Sequence, residues 1–337
     1  MTEVTLTTPA QPRKLSGFGV YRLLAKGGVY WLVLALFAAG CLMSRDFLSV
    51  SNLLNTLRAV TLLGIVALGV SMVTYSGHYV DLSTPAIMAL SGIVAVAALP
   101  LGFAAAMLAG VAAGAAVGLI NGVVVGYLRL NPIIWTLAMM SVVVGLVRWA
   151  FSGKQVYPNA STSAGRLMLG LYAANLPGGV PLIVALLGFI ALGTWALTHR
   201  TAFGAKLKLV GSNYESARMT GINVSAIVVV AFVLSALAAA VAGILLTSLN
   251  KVGAAYIGAG YDFAAITAVV LGGITLSGGR GSGFGAMGGV LAIGLLKNVM
   301  TLAGLGTFAQ VIVQGCVFII AVGISSSALR RGGRDDS

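Results

Sequence analysis

Acidic side chains are scarce in this sequence. Seven Asp and Glu stand among 337 residues, and with 20 Lys and Arg the charged share reaches only 8%. A soluble domain carries about 25%, so the composition argues against a soluble fold. The scarcity also bears on mechanism. A carrier driven by protons or sodium should place several acidic groups inside its spans, and here just Asp81 and Asp262 fall near span ends. Histidine is limited to His78 and His199, in different loops, and cysteine to Cys41 and Cys316, both inside apolar runs. Neither pair suggests a metal site or a disulfide framework, and the cysteines read as small hydrophobes. There is no H-E-x-x-H and no nucleophile set beside a base, so nothing supports a membrane enzyme. A G-x-x-x-x-G-K-[ST] loop is absent too, and the chain does not hydrolyse ATP by that route.

What fills the chain is apolar: 59% of it is hydrophobic, with a mean hydropathy of +1.03. The expected fold class is an all-α polytopic membrane protein. About ten transmembrane helices are expected, at 29–43, 59–75, 84–101, 103–128, 133–151, 180–197, 226–248, 262–277, 283–303 and 306–327. Several are short or interrupted by glycine, against the ~20 residues that a full crossing takes, and such broken helices often mark a transport site. The domain plan is an N-terminal segment at 1–28, a transmembrane domain at 29–327 with a polar loop at 198–225, and a tail at 328–337. With a cytoplasmic N-terminus and alternating spans, 13 of the 20 Lys and Arg fall on the cytoplasmic side, among them Arg129, Arg200, Lys206, Lys208, Arg218 and Arg280. The positive-inside rule then gives N-in and C-in. The net charge of +13 thus reflects topology rather than nucleic acid.

Glycine is abundant, at 46 residues, as expected where membrane helices approach closely. Gly110, Gly114, Gly118, Gly122 and Gly126 recur every fourth residue and line one side of the fourth span, where a neighbouring helix should pack. Gly281, Gly285 and Gly289 repeat the pattern. The formal G-x-G-x-x-G at 283–288 follows no strand and reads as packing glycine, not a dinucleotide loop.

The stretch 206–224, KLKLVGSNYESARMTGINV, is a polar interruption in this apolar chain. Ser212 and Glu215 fit a capping box, and Gly221 can end a helix in the left-handed region. A helix of about two turns follows, too short to stand alone in water. It is either an ordinary polar loop or a docking peg at the membrane surface.

Three stretches resemble the permease subunits of bacterial ABC importers for monosaccharides, the ribose, xylose, arabinose and galactoside type. They are GHYVDLS at 77–83 with AIMALSG at 86–92, GSNYESARMTGIN at 211–223, and AVVLGGITLSGGRGS at 268–282. A weaker fourth is Asn131-Pro132 followed by TLAMMS at 136–141. The resemblance covers about 29–327 and implies a multi-pass protein of the bacterial inner membrane. It implies that 206–224 is a cytoplasmic coupling helix, with Gly211, Asn213, Glu215, Ala217, Arg218, Gly221 and Ile222 seated on a separate ATPase subunit that holds ATP and Mg. It further implies a second permease copy or paralogue, a substrate-binding protein, a monosaccharide substrate and contact with membrane lipid. His78, Tyr79 and Val80 depart from the glycine and isoleucine usual in the family before the Asp, and Thr84-Pro85 from its valine and glycine.

For the translocation path the candidates are Asp81, Ser83, Asn121, Asn131, Thr136 and Ser277. Asp81 or Ser83 could instead be an N-cap at the membrane edge. Asn121, Asn298 and Gln314 sit within spans and read first as groups bonded to a neighbouring helix. Permeases for branched-chain amino acids or nucleosides, and an ion-coupled secondary transporter, stand as alternatives.

Overall fold

The computed structural model describes residues 28–78, 80–279 and 281–332, with side chains as far as Gly323. The expected N-terminal segment up to residue 27, Arg280 and the end of the tail at 333–337 lie outside the described residues. Regular structure among the described residues is helical, apart from two isolated β-bridges.

Among the described residues six helices are long and apolar enough to cross a membrane: α2 (Val50–Tyr75), α4 (Phe103–Tyr127), α5 (Pro132–Ala150), α7 (Leu182–Arg200), α10 (Val224–Asn250) and α12 (Gly283–Leu302). Four more are apolar but shorter: α1 (Gly28–Met43), α3 (Thr84–Ala97), α11 (Tyr261–Leu271) and α13 (Thr307–Gly332), the last apolar as far as Gly323. Each of the ten expected spans therefore has a helix, with shifted ends. α3 has 14 residues and α11 has 11. At 1.5 Å per residue they reach about 21 and 17 Å, less than the ~30 Å hydrocarbon layer. Both adjoin a break: residues 76–83 separate α2 from α3, and 272–282 separate α11 from α12.

The loops hold more helix than the sequence suggested. α6 (Ser163–Gly170) lies between the expected spans 133–151 and 180–197, and the loop at 198–225 contains α8 (Ala202–Ser212) and α9 (Tyr214–Met219). α8 was missed because its buried face is small: Gly204, Leu207 and Val210, spaced every third residue between polar neighbours.

α2 is the interior element. Its residues from Val60 to Tyr75 are buried without a break, the mark of a helix enclosed on all sides. α10 packs against α2, α3 and α4, while α12 packs on α1, α2 and α11. The glycine row of α4 is the groove for α10, as its spacing indicated. A methyl on Gly118 would lie 2.3 Å from Ala236 Cβ and 2.9 Å from the Phe232 carbonyl oxygen. One on Gly122 would lie 2.7 Å from Val229 Cα. Gly285 and Gly289 likewise meet the carbonyl oxygens of Gly272 and Ala268, and Gly288 meets Val29 and Tyr30 of α1; two glycines of the G-x-G-x-x-G thus serve helix packing, while Gly283 has open space beside it. Gly118→Ala is expected to destabilise the fold by about 1–3 kcal/mol through overpacking. Thermal unfolding in detergent measures this; an unchanged midpoint would mean that the α4–α10 contact yields without cost.

Candidate functional site

The short helix α9 is built by its caps. Asn213, not Ser212, is the N-cap: its side chain accepts from the Ser216 N–H at 2.9 Å. Ser212 is still part of α8, with its hydroxyl donating to the Lys208 carbonyl. The expected capping box is not formed: the cap moves to Asn213, whose own N–H donates to the Leu209 carbonyl, because α8 runs on to Ser212 and its backbone is already helical there. At the other end Gly221 takes φ +78°. Its N–H donates to the Arg218 carbonyl, and the Ile222 N–H donates to the Ala217 carbonyl. These two bonds make a Schellman motif, as Gly221 suggested.

The faces of α9 divide sharply. Ala217 is fully buried, packed with Val73, Val125, Val210, Val224, Val228 and Phe232. Its small side chain serves the chain's own interior. Glu215 and Arg218 face outward, and beside them Met219 is 87% exposed. Met219 was not singled out from sequence, although an exposed thioether next to two charges is a usable contact. The Arg129 guanidinium, from the α4–α5 connection, lies 5.3 Å from the centre of the Tyr214 ring, an attractive cation–π distance.

Behind α9 three glycine-rich segments meet backbone to backbone. The Gly279 N–H donates to the Tyr75 carbonyl at 3.2 Å. A methyl on Gly211 would lie 1.9 Å from that oxygen and 2.6 Å from the Gly279 nitrogen. One on Gly278 would lie 2.5 Å from Gly77 Cα. The breaks after α2 and after α11 are thereby joined to the end of α8. The LGG at 271–273 works locally: Gly273 at φ +83° closes α11 with the same pair of terminal bonds, from Gly273 to Val270 and from Ile274 to Val269. Ser277 lies exposed beside this junction. The segments at 76–83, 129–132, 198–225 and 278–282, which alternation assigns to one side, contribute these contacts at one end of the molecule.

Three of the six path candidates, Asp81, Ser83 and Asn121, form one network, and a fourth, Thr136, bonds to the backbone beside it. Asp81 is 1% exposed, and Ser83, Asn121 and Thr136 are 0% exposed. Asp81 Oδ1 accepts from both the N–H and the hydroxyl of Ser83. Asn121 donates to the Ser83 hydroxyl at 2.8 Å, Trp135 Nε1 donates to Asn121 Oδ1 at 3.0 Å, and the Leu82 N–H donates to Thr136. Ser83 occupies the N-cap position of α3 without capping it, since its side chain turns back to Asp81. The other carboxylate oxygen, Asp81 Oδ2, is buried without a hydrogen-bond partner. Asn131 stands apart as the N-cap of α5. Trp135 was missed, although it adjoins Thr136 just after the Asn-Pro turn. Asp81→Ala would strand two buried Ser83 donors at about 1–3 kcal/mol for the unpaired group. A falling unfolding temperature, with Trp135 fluorescence shifted, is the expected readout; no change in either would remove the network from any structural role.

The opposite end holds a cavity of about 570 Å³ between α2, α11, α12 and α13. The intramembrane amide Asn298 does bond to a neighbouring helix: Asn298 and Asn52 exchange amide hydrogen bonds, at 2.7 and 3.2 Å. Among the described residues no cluster of three or more His, Cys, Asp or Glu could hold a metal ion.

Comparison with known proteins gives a consistent set. The profile of the family described as branched-chain amino acid transport system / permease component matches residues 52–322. The ribose import permease protein RbsC of Bacillus subtilis (strain 168) is 39% identical over 284 residues, 83% of this chain and 86% of that protein. The L-arabinose ABC transporter permease protein AraH of Azospirillum brasilense is 35% identical over 313 residues, 90% of this chain and 88% of its own length. RbsC of Escherichia coli (strain K12) is 33% identical over 292 residues, 86% and 90% of the two chains.

Proposed function

The chain belongs to the family of branched-chain amino acid transport system permease components, a multi-pass permease of the inner membrane, and from this we propose that it is the spanning subunit of an ABC importer for a monosaccharide. The names of the relatives, ribose and L-arabinose permeases, support a sugar over an amino acid. The observation that carries the coupling role is α9, a helix closed at both ends with Glu215, Arg218 and Met219 turned outward. With a cytoplasmic N-terminal segment at 1–28, a transmembrane domain at 29–327 and a cytoplasmic tail at 328–337, that end faces the cytoplasm. There α9 seats on a separate ATPase subunit holding ATP and Mg. A second permease copy or paralogue completes the membrane unit, and a binding protein delivers solute on the other side.

The chain's own part is mechanical. Ala217 roots α9 among residues of α2, α4, α8 and α10, and Gly211 binds the adjoining end of α8 to both helix breaks. A displacement of α9 by closing ATPases is passed to the breaks at 76–83 and 272–282, which lie where the path must open. Asp81 holds the first break in shape through Ser83 and has no transported proton to carry.

Reconstitution of this chain with its ATPase and binding protein in liposomes tests the reading. The expected result is uptake of a labelled pentose that requires ATP. Uptake by this chain alone, driven by an ion gradient, would overturn it, and ATP-dependent uptake of leucine but of no sugar would overturn the substrate class.

A further inference from the structure

The cavity at the end opposite α9 has the composition of a solute site, and no role assigned so far uses it. We infer that it is a weak binding site for a neutral, polyhydroxylated solute, within the permease itself; the inference rests on the monosaccharide reading above and adds where that solute pauses. The volume, about 570 Å³, falls in the range of small-molecule sites, roughly 300–1,000 Å³.

The wall is polar on groups that have nothing else to do. Asn55, Gln314 and the Lys297 ammonium line it, and none has a side-chain hydrogen bond or ion pair among the described residues. The Thr56 hydroxyl, on the same wall, is buried with no partner. A lysine on a spanning helix with no acid beside it is costly in lipid and tolerable where it faces a wetted space. Amide groups both donate and accept, and an ammonium donates three ways, which suits hydroxyls presented around a ring. Tyr172 and Tyr261 add aromatic surface, and Leu62 and Leu63 an apolar floor for the C–H face.

The same wall discriminates. Among the described residues it contains no Asp or Glu. The carboxylate of an amino acid could meet Lys297, but its ammonium would find no anion and would share the cavity with a second cation. A neutral sugar has no such conflict. The wall is also held in place. Asn52 and Asn298 clamp α2 to α12 at this level, and Asn52 further donates to the Phe47 carbonyl at 2.8 Å. That clamp is structural, whereas Gln314 and Lys297 are free to engage a ligand.

Saturation-transfer NMR on the full-length chain in nanodiscs, with D-ribose, L-arabinose and L-leucine as probes, tests this. The expected result is a signal from a pentose, none from leucine, and at least a five-fold loss of the pentose signal in Gln314→Leu and in Lys297→Met at unchanged unfolding temperature. In the reconstituted transporter the same variants should lower the maximal uptake rate while leaving the half-saturating concentration of loaded binding protein unchanged. Absence of a pentose signal from a chain whose assembled transporter imports that pentose overturns the cavity assignment and leaves the importer reading standing. A leucine signal, with leucine imported and no sugar, overturns both. A pentose signal indifferent to both substitutions places binding elsewhere and overturns the site.

Discussion

Gly211→Val should abolish ATP-driven uptake, by at least about ten-fold, and lower the unfolding temperature by several degrees. The missing Cβ of Gly211 is aimed at backbone, not at a side chain that could swing away: 1.9 Å from the Tyr75 carbonyl oxygen and 2.6 Å from the Gly279 nitrogen. Any side chain must part α8 from both helix breaks and with them the Gly279–Tyr75 hydrogen bond. Overpacking of this kind costs about 1–3 kcal/mol, and for a domain of 150–250 residues each kcal/mol moves the midpoint by about 2–4 °C. The control is Gly221→Ala. That glycine has a left-handed φ of +78° but open space where a Cβ would go, so only local strain of about 1–2 kcal/mol is expected. Wild-type uptake by Gly211→Val would mean that the junction is not what joins α9 to the pore helices.

The second large effect should separate docking from rooting. Arg218→Glu combined with Met219→Asp is expected to reduce the co-purifying ATPase at least ten-fold while leaving the permease as stable as before. Both side chains are exposed, Met219 by 87%, and exposed substitutions away from special features usually stay within about 0.5 kcal/mol. Ala217→Leu should do the reverse first. Ala217 is 0% exposed, so a larger side chain there attacks the seat of α9 and lowers the midpoint before it touches any partner. Co-purification with each variant, read beside its unfolding curve, distinguishes the two. Full ATPase recovery with the Arg218/Met219 pair would exclude this face as the dock.

The spans were legible because apolar length is written directly in the sequence, and the glycine row of α4 because its period of four matches one face of a helix. The ends were harder. Hydropathy alone started the second span at 59, whereas α2 begins at Val50, because its first turns carry Asn52, Asn55 and Arg58 toward polar space rather than lipid. The closing Gly221 was readable; the opening residue was not, since Ser212 and Asn213 are both good caps and only the course of α8 decides between them. Ala217 looked like a surface residue made small for a partner, and its smallness answers an internal need. The polar network shows the same limit: sequence marked Asp81, Ser83, Asn121 and Thr136 as unusual but could not say that the first three bond to one another and the fourth to the Leu82 N–H, nor that free amides would collect at the far end.

The junction also has a consequence for how the protein is made. Its three strands of contact come from residues 75–77, 211–212 and 278–279, far apart along the chain. During synthesis the end of α8 emerges long before Gly279, so one wall of its packing does not yet exist. A chain ending before that glycine lacks the hydrogen bond to the Tyr75 carbonyl and leaves Gly211 without one of its backbone neighbours. The end of α8 is thus locked to both helix breaks only when most of the chain has been made.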